Sequence, residues 1–175
     1  MARPTLTLID ALRETAQRLD AGAEYAWTHM GRCNCGHLVQ TVTSMAPGEI
    51  HARMLEREGD WAEQATEFSE HPPRYCVDSG YAWDHVLDAL LDLGMSTGDV
   101  ADLERLRNEK VRRRLPDRGR GLSHRDRSDV AAYMSAWADL LEEELDAAAG
   151  RNPEVDDAAD VARRGAARAT RSQRV

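Results

Sequence analysis

Apolar residues recur every three or four positions along most of this chain, and no run alternates apolar and polar residues as a half-buried strand does. That pattern restricts the fold to packed helices. Within 5–21 the stripe is Leu8, Leu12 and Leu19 with Ala16 between them, and Gly22 is a natural stop. From His37 a second helix carries Leu38, Val39, Val42 and Met45. Pro47 suits the first position of a third, with Ile50, Met54 and Leu55, closed by Gly59. Asp60 and Glu63 have the spacing of a capping box before a helix over 61–69 that buries Trp61, Ala65 and Phe68. His71-Pro72-Pro73 breaks that helix.

After the loop 70–80, the segment 81–93 places Trp83, Val86, Leu87, Leu90 and Leu91 on one side, and Gly94 closes it. Thr97 can cap a helix over 98–107, with Val100, Leu103 and Leu106 inward. A short helix over 109–115 ends at Pro116. The last strong helix, 128–149, carries Val130, Tyr133 or Met134, Trp137, Leu141, Leu145 and Ala148. The expected fold is all-α: a single irregular helical bundle of about five to seven helices over residues 1–150, with two Cys/His-bearing loops. Residues 151–175 form an Ala/Arg/Asp-rich tail with little to bury, expected to be partly disordered. At 175 residues the chain can build a real core, since a domain of roughly 150 residues hides about 70% of its unfolded surface.

No apolar run reaches the ~18–20 residues of a membrane helix, and the first residues lack the apolar core of a secretory signal. The expectation is a cytoplasmic protein with no membrane partner. The net charge of −8 argues against indiscriminate binding to nucleic acid. The charge is uneven, however. Residues 105–127 hold ten basic and three acidic side chains, whereas 1–104 hold seven and eighteen. The basic stretch suits either phosphate contact or pairing with acidic helix faces at Asp84/Asp88/Asp92 and Glu142–Asp146, within the chain or between subunits. Pairing is the preferred reading, and a homo-oligomer is compatible with it.

Three cysteines, Cys33, Cys35 and Cys76, are too few and too odd in number for a disulfide scaffold. Two of them sit in the densest chemical cluster of the chain, His29-Met30-Gly31-Arg32-Cys33-Asn34-Cys35-Gly36-His37. Thiolate and imidazole sets suit zinc, copper or iron–sulfur centres. In an extended loop the side chains of residues i and i+2 point to one side, so Cys33 and Cys35 could both face one ion. Gly31 and Gly36 would let the backbone curl around it. A loop feeding a helix that begins near Gly36 is the expected conformation.

One loop does not close a four-ligand site comfortably. The loop 71–85 supplies Cys76, with Asp84 and His85 after it. The two loops, 25–37 and 71–85, are expected to converge. Cys33, Cys35 and Cys76 would be thiolate ligands, with His37 the first choice for the fourth and His29 and His85 next. Tyr25, Trp27, Tyr81, Trp83 and Asp84 would line the site. A catalytic set is not fixed by spacing; His29 or Asp84 could serve as an acid/base group beside the metal. Zinc and an iron–sulfur cluster fit the ligand set equally. The competing readings are thiol redox chemistry and plain burial of the cysteines. The glycine-rich phosphate loops, the G-x-S-x-G elbow, His-Glu-x-x-His and Glu-x-x-His are all missing. Ser123-His124 beside Asp126 reads as a polar loop leading a helix.

The blocks Gly31-Arg32-Cys33-Asn34-Cys35-Gly36-His37-Leu38 and Cys76 to His85 resemble an uncharacterised family of small bacterial proteins with a GxCNCGHL motif and a later segment of one Cys, Gly and Asp-His. Asp102-Leu103-Glu104-Arg105-Leu106 and the stretch from Tyr133 to Leu141 are similar too, so the resemblance spans about residues 8–146. It implies a single helical domain with an intracellular Cys/His site and no assigned activity. Where the family pattern often has Pro after the lone cysteine and then Thr-Gly, this chain has Val77 and Asp78-Ser79-Gly80. The functional expectation is a metal-binding helical protein, with redox or metal-dependent catalysis open. The alternative is a metal-free interaction or nucleic-acid-binding module using the basic 105–127 stretch.

Overall fold

The structure, a computed structural model, describes residues 1–56, 58–70, 85–115 and 121–150, with the side chains of 68–70 and 85 outside that set. The chain divides into two compact units, Met1–Glu142 and Glu143–Val175. The candidate site belongs to the first. The second is described only through the last turns of its helix, and the tail expected at 151–175 lies outside the described residues.

The fold is all-α. Among the described residues there are seven helices of eight residues or more, and one single turn. They are α1 (Leu6–Asp20), α2 (Asn34–Thr43), α3 (Pro47–Leu55), α4 (Trp61–Glu70), α5 (His85–Asp92), α6 (Thr97–Arg105), the single turn α7 (Glu109–Arg112) and α8 (Arg127–Ala149). No helix among the described residues is long and apolar enough to cross a membrane.

Local chemistry sets the helix ends. Thr5 caps α1 by accepting the Leu8 amide at 3.2 Å, and its hydroxyl donates to the Leu93 carbonyl at 3.0 Å. The box before α4 forms as the spacing predicts: Glu63 donates its amide to Asp60 at 3.0 Å and accepts the Asp60 amide at 2.9 Å. Before α6 the cap is Ser96, one residue earlier than expected. The reason is its partner. Asp99 accepts the Ser96 amide at 2.8 Å and returns its own amide to Ser96 at 3.3 Å, whereas the residue three after Thr97 is buried Val100, which cannot answer.

Helix α2 is the hub, packing against α1, α3, α5 and α6. Asn34, Cys35, Gly36, His37, Leu38 and Val39 are all buried. Around it the core collects Leu8, Leu12 and Leu19 of α1, Ile50 and Met54 of α3, Trp61 and Ala65 of α4, Leu87 and Leu90 of α5, and Val100 and Leu103 of α6. Val130, Tyr133, Met134, Trp137 and Leu141 of α8 are buried as their spacing predicts. Leu55, expected on the α3 stripe, is instead 65% exposed.

Candidate functional site

The Cys-bearing motif folds as a closed turn running directly into α2. The amide of Ala26 donates to the Arg32 carbonyl at 3.1 Å, and the amides of Arg32 and Cys33 donate to the His29 carbonyl at 2.7 and 3.0 Å. Helix α2 begins at Asn34, earlier than expected, so residues 34–37 are helix and not loop. Asn34 explains the early start. It is fully buried, and its side-chain amide donates to the carbonyls of Leu103 (2.6 Å) and Glu104 (3.0 Å) at the end of α6. That clamp draws the first residue of α2 into the core.

An early helix changes how the two thiols are presented. In a helix, neighbours two apart lie about 200° apart around the axis, so the extended i, i+2 arrangement does not form. Cys33 is the N-cap residue. Its sulfur accepts the Trp61 indole N–H at 3.2 Å, and its thiol donates to the Met30 carbonyl at 3.3 Å. Cys35 is in the first turn, wholly buried, with its sulfur 3.9 Å from the Val100 carbonyl. Burial pushes the Cys33 thiol up to about 11, against the opposing pull of the Gly36 amide and the Trp61 indole. Burial raises Cys35 well above the ordinary thiol range, reinforced by Cys33 and Glu104.

The two glycines serve close packing. A Cβ on Gly31 would lie 1.9 Å from the Pro47 carbonyl oxygen, and one on Gly36 would lie 2.1 Å from that of Met30. Loop, α2 and the start of α3 therefore touch backbone to backbone. Neither glycine has a positive φ, so contact distance is the constraint here.

The predicted imidazoles are held by this backbone. His37 Nε2 donates to the Glu24 carbonyl at 3.1 Å, its Nδ1 lies 3.5 Å from the Gln40 amide nitrogen, and its ring is parallel to that of Tyr25, 6.2 Å away. Burial lowers its pKa. His29 Nδ1 accepts the Gly31 amide at 3.2 Å. Its ring stacks on His51 at 3.9 Å, and His51 Nδ1 accepts the Met30 amide at 3.1 Å. Burial, then His51 and Arg32, lower the His29 pKa. With Nδ1 accepting, the neutral His29 ring carries its proton on Nε2.

Tyr25 and Trp27 lie at the mouth of this turn. The Tyr25 hydroxyl donates to the His124 carbonyl, and burial raises its pKa, with Cys33 and Cys35 adding to the effect. The Trp27 ring meets the His124 imidazole at 4.2 Å and Arg105 at 5.1 Å. Cys76, Tyr81, Trp83 and Asp84 lie outside the described residues, and His85 opens α5 without a described side chain. The expected convergence of the two loops therefore falls outside the described residues; α5, which follows the second, packs on α2. Among the described residues no group of three or more His, Cys, Asp or Glu side chains is arranged to hold an ion.

The spacing did not point to Trp61, Glu104 or His51 as neighbours of the motif. Glu104 is buried at the end of α6, and its carboxylate accepts the Ala62 amide at 3.4 Å. Burial and then Asp60 raise its pKa. Glu104 thus adds a buried carboxylate to the electrostatic surroundings of the two buried thiols. In the basic stretch, Arg105 pairs with Asp60 (3.2 Å) and Arg113 with Glu109 (3.0 Å). Glu142, expected to serve that stretch, instead takes Arg13 at 2.7 Å.

No known protein family, curated protein or solved structure matches the chain.

Proposed function

We propose that this is a helical metal-binding protein whose zinc or iron–sulfur centre uses the thiolates of Cys33 and, from the 71–85 segment, Cys76, with Cys35 brought to the same centre by unwinding of the first turn of α2. The observation that carries the reading is the surroundings of the Cys33 sulfur. It sits at the N-terminus of α2 and receives an indole N–H from Trp61. Donors of this kind favour an anionic sulfur. Burial opposes a bare thiolate, and a soft cation supplies the positive charge that burial withholds. His37 gives its Nε2–H to the Glu24 carbonyl, which leaves Nδ1 as the acceptor nitrogen and suits a metal-ligating imidazole, so His37 is the preferred fourth ligand, with His29 and His85 next. A ligand set of three thiolates and one imidazole serves structural zinc or a cluster. Catalysis would require an open coordination position.

The second reading is a metal-free helical interaction module, favoured by the Cys33 thiol's hydrogen bond to the Met30 carbonyl. Anaerobic purification with elemental analysis and a visible spectrum separates the two. The metal reading expects about one equivalent of zinc, or iron with sulfide and visible absorption, lost in Cys33→Ser and Cys76→Ser variants. Metal-free protein with three titratable thiols overturns it.

A further inference from the structure

An open groove of about 700 Å³ lies between α1, the last turn of α2 and the end of α5. Its floor is apolar, with Ala11, Val42 and Leu93. Its rim carries three exposed carboxylates: Asp10 and Glu14, one turn apart on α1, and Asp92 on α5. None of the three makes an ion pair or a side-chain hydrogen bond among the described residues. Arg18, at the groove's edge, is already committed, donating to Thr41 at 2.8 Å and to Gln40 at 3.0 Å.

The single turn α7 presents the opposite charge. It is anchored by buried Val111 and by the Asn108 amide, which donates to the Tyr133 hydroxyl at 3.1 Å. Arg107 precedes the cap and Arg112 ends the turn, and the Arg112 amide donates to the Asn108 carbonyl at 3.0 Å. The two arginines therefore leave the backbone at neighbouring points of one anchored turn. Both are exposed, and neither has an ion pair among the described residues. Glu109, the carboxylate of the turn, is held by Arg113 at 3.0 Å. Of the acidic faces expected to pair with this stretch, Glu142 takes Arg13 at 2.7 Å and Asp92 stands on the groove.

Arginine suits such a groove. Its stem covers apolar surface while its planar head meets carboxylates through paired N–H groups. We infer that the groove is the docking site for a second copy of the chain, whose Arg107 and Arg112 lay their stems on the apolar floor and pair with Asp10, Glu14 and Asp92. The contact joins two different surfaces, so it is complementary in charge although each copy is acidic overall. It is independent of the proposed metal centre.

The test is sedimentation velocity of the full-length chain across a salt series. It begins at about 0.1 M, where a Debye length of about 10 Å screens the net repulsion of two acidic copies more than their direct contacts. The wild type should sediment as an assembly larger than one chain and dissociate towards about 1 M salt. Asp10→Arg with Glu14→Arg, and separately Arg107→Glu with Arg112→Glu, should each weaken association by about tenfold or more. Mixed together, the two double variants should associate again, because each meets the other's altered surface with opposite charge. Arg53→Glu, whose arginine pairs with Glu49 on α3, should leave association unchanged. Circular dichroism checks folding, and the milder Asp10→Asn with Glu14→Gln should show part of the loss. A wild type that is monomeric at every salt concentration overturns the inference, as does a double variant that associates like the wild type or a mixture that stays apart. A monomer that binds a labelled oligoarginine peptide, with binding lost in Asp10→Arg/Glu14→Arg, gives the groove to a foreign basic segment and overturns self-association.

Discussion

Gly36 lets the backbone of Met30 and Gly31 rest on α2, and Gly31 in turn meets Pro47. Any side chain at either position must displace a main chain, which no rotamer change can relieve. Gly36→Ala should therefore lower the urea midpoint by the equivalent of about 1–3 kcal/mol or more. Gly48, one residue into α3, has open space around it, so Gly48→Ala should be neutral or stabilising by about 0.5–1 kcal/mol. Equal losses in the two variants would refute the close-packing argument. Glu104 gives a second residue-scale outcome. Its folded pKa is raised by burial, so the folded state holds the proton more tightly than the unfolded chain does. Its favourable contribution is complete below the unfolded carboxyl pKa and is lost as pH rises through the folded one. Glu104→Gln should raise the denaturation midpoint more at pH 7 than at pH 4, measured on metal-free protein; the opposite order would refute the assignment. The cysteines and histidines could be picked out from ligand chemistry alone. Glu104 and His51 could not, because their proximity to the motif depends on how α6 and α3 pack on α2, and local spacing does not encode that.

The helices themselves were legible where capping and periodicity agreed. The Asp60/Glu63 box, the Pro47 start and the Gly22 stop all follow from backbone donors and acceptors that must be satisfied within a few residues. The start of α2 was missed because its determinant is tertiary: Asn34 reaches the carbonyls of Leu103 and Glu104, about seventy positions away. Ser96 similarly depends on which partner can answer it. Ser96→Ala should cost about 1 kcal/mol, seen as a shift of the urea midpoint without a change in slope. A cost below a few tenths would mean that the Asp99 side chain satisfies that helix end alone.

Across the whole chain, the unequal distribution of charge matters more than the net value of −8. It separates an acidic, cysteine-bearing first part from the basic stretch over 105–127. Metal linkage is the corresponding prediction for stability. If Cys33 and Cys35 bind an ion, removing it with a chelator should lower the melting temperature of the wild-type chain, because ligation favours the folded state by mass action. The Cys35→Ser variant should melt low and respond little. A wild-type melt indifferent to chelation, in protein shown to have contained metal, would detach that metal from the fold. The all-α class could be read from periodicity. The ligand pattern from 71 to 85 could be read only as a set of residue types, since a loop without a period carries no register.

With ten residues, α2 is shorter than the ~12–15 at which isolated helices become even marginally stable in water, and four other helices surround it. It has no independent existence to return to once those neighbours leave. The amides of Leu38 and Val39 should therefore exchange with deuterium only through global opening, at the slowest rates in the chain. The cysteine-bearing end would be the last place solvent reaches.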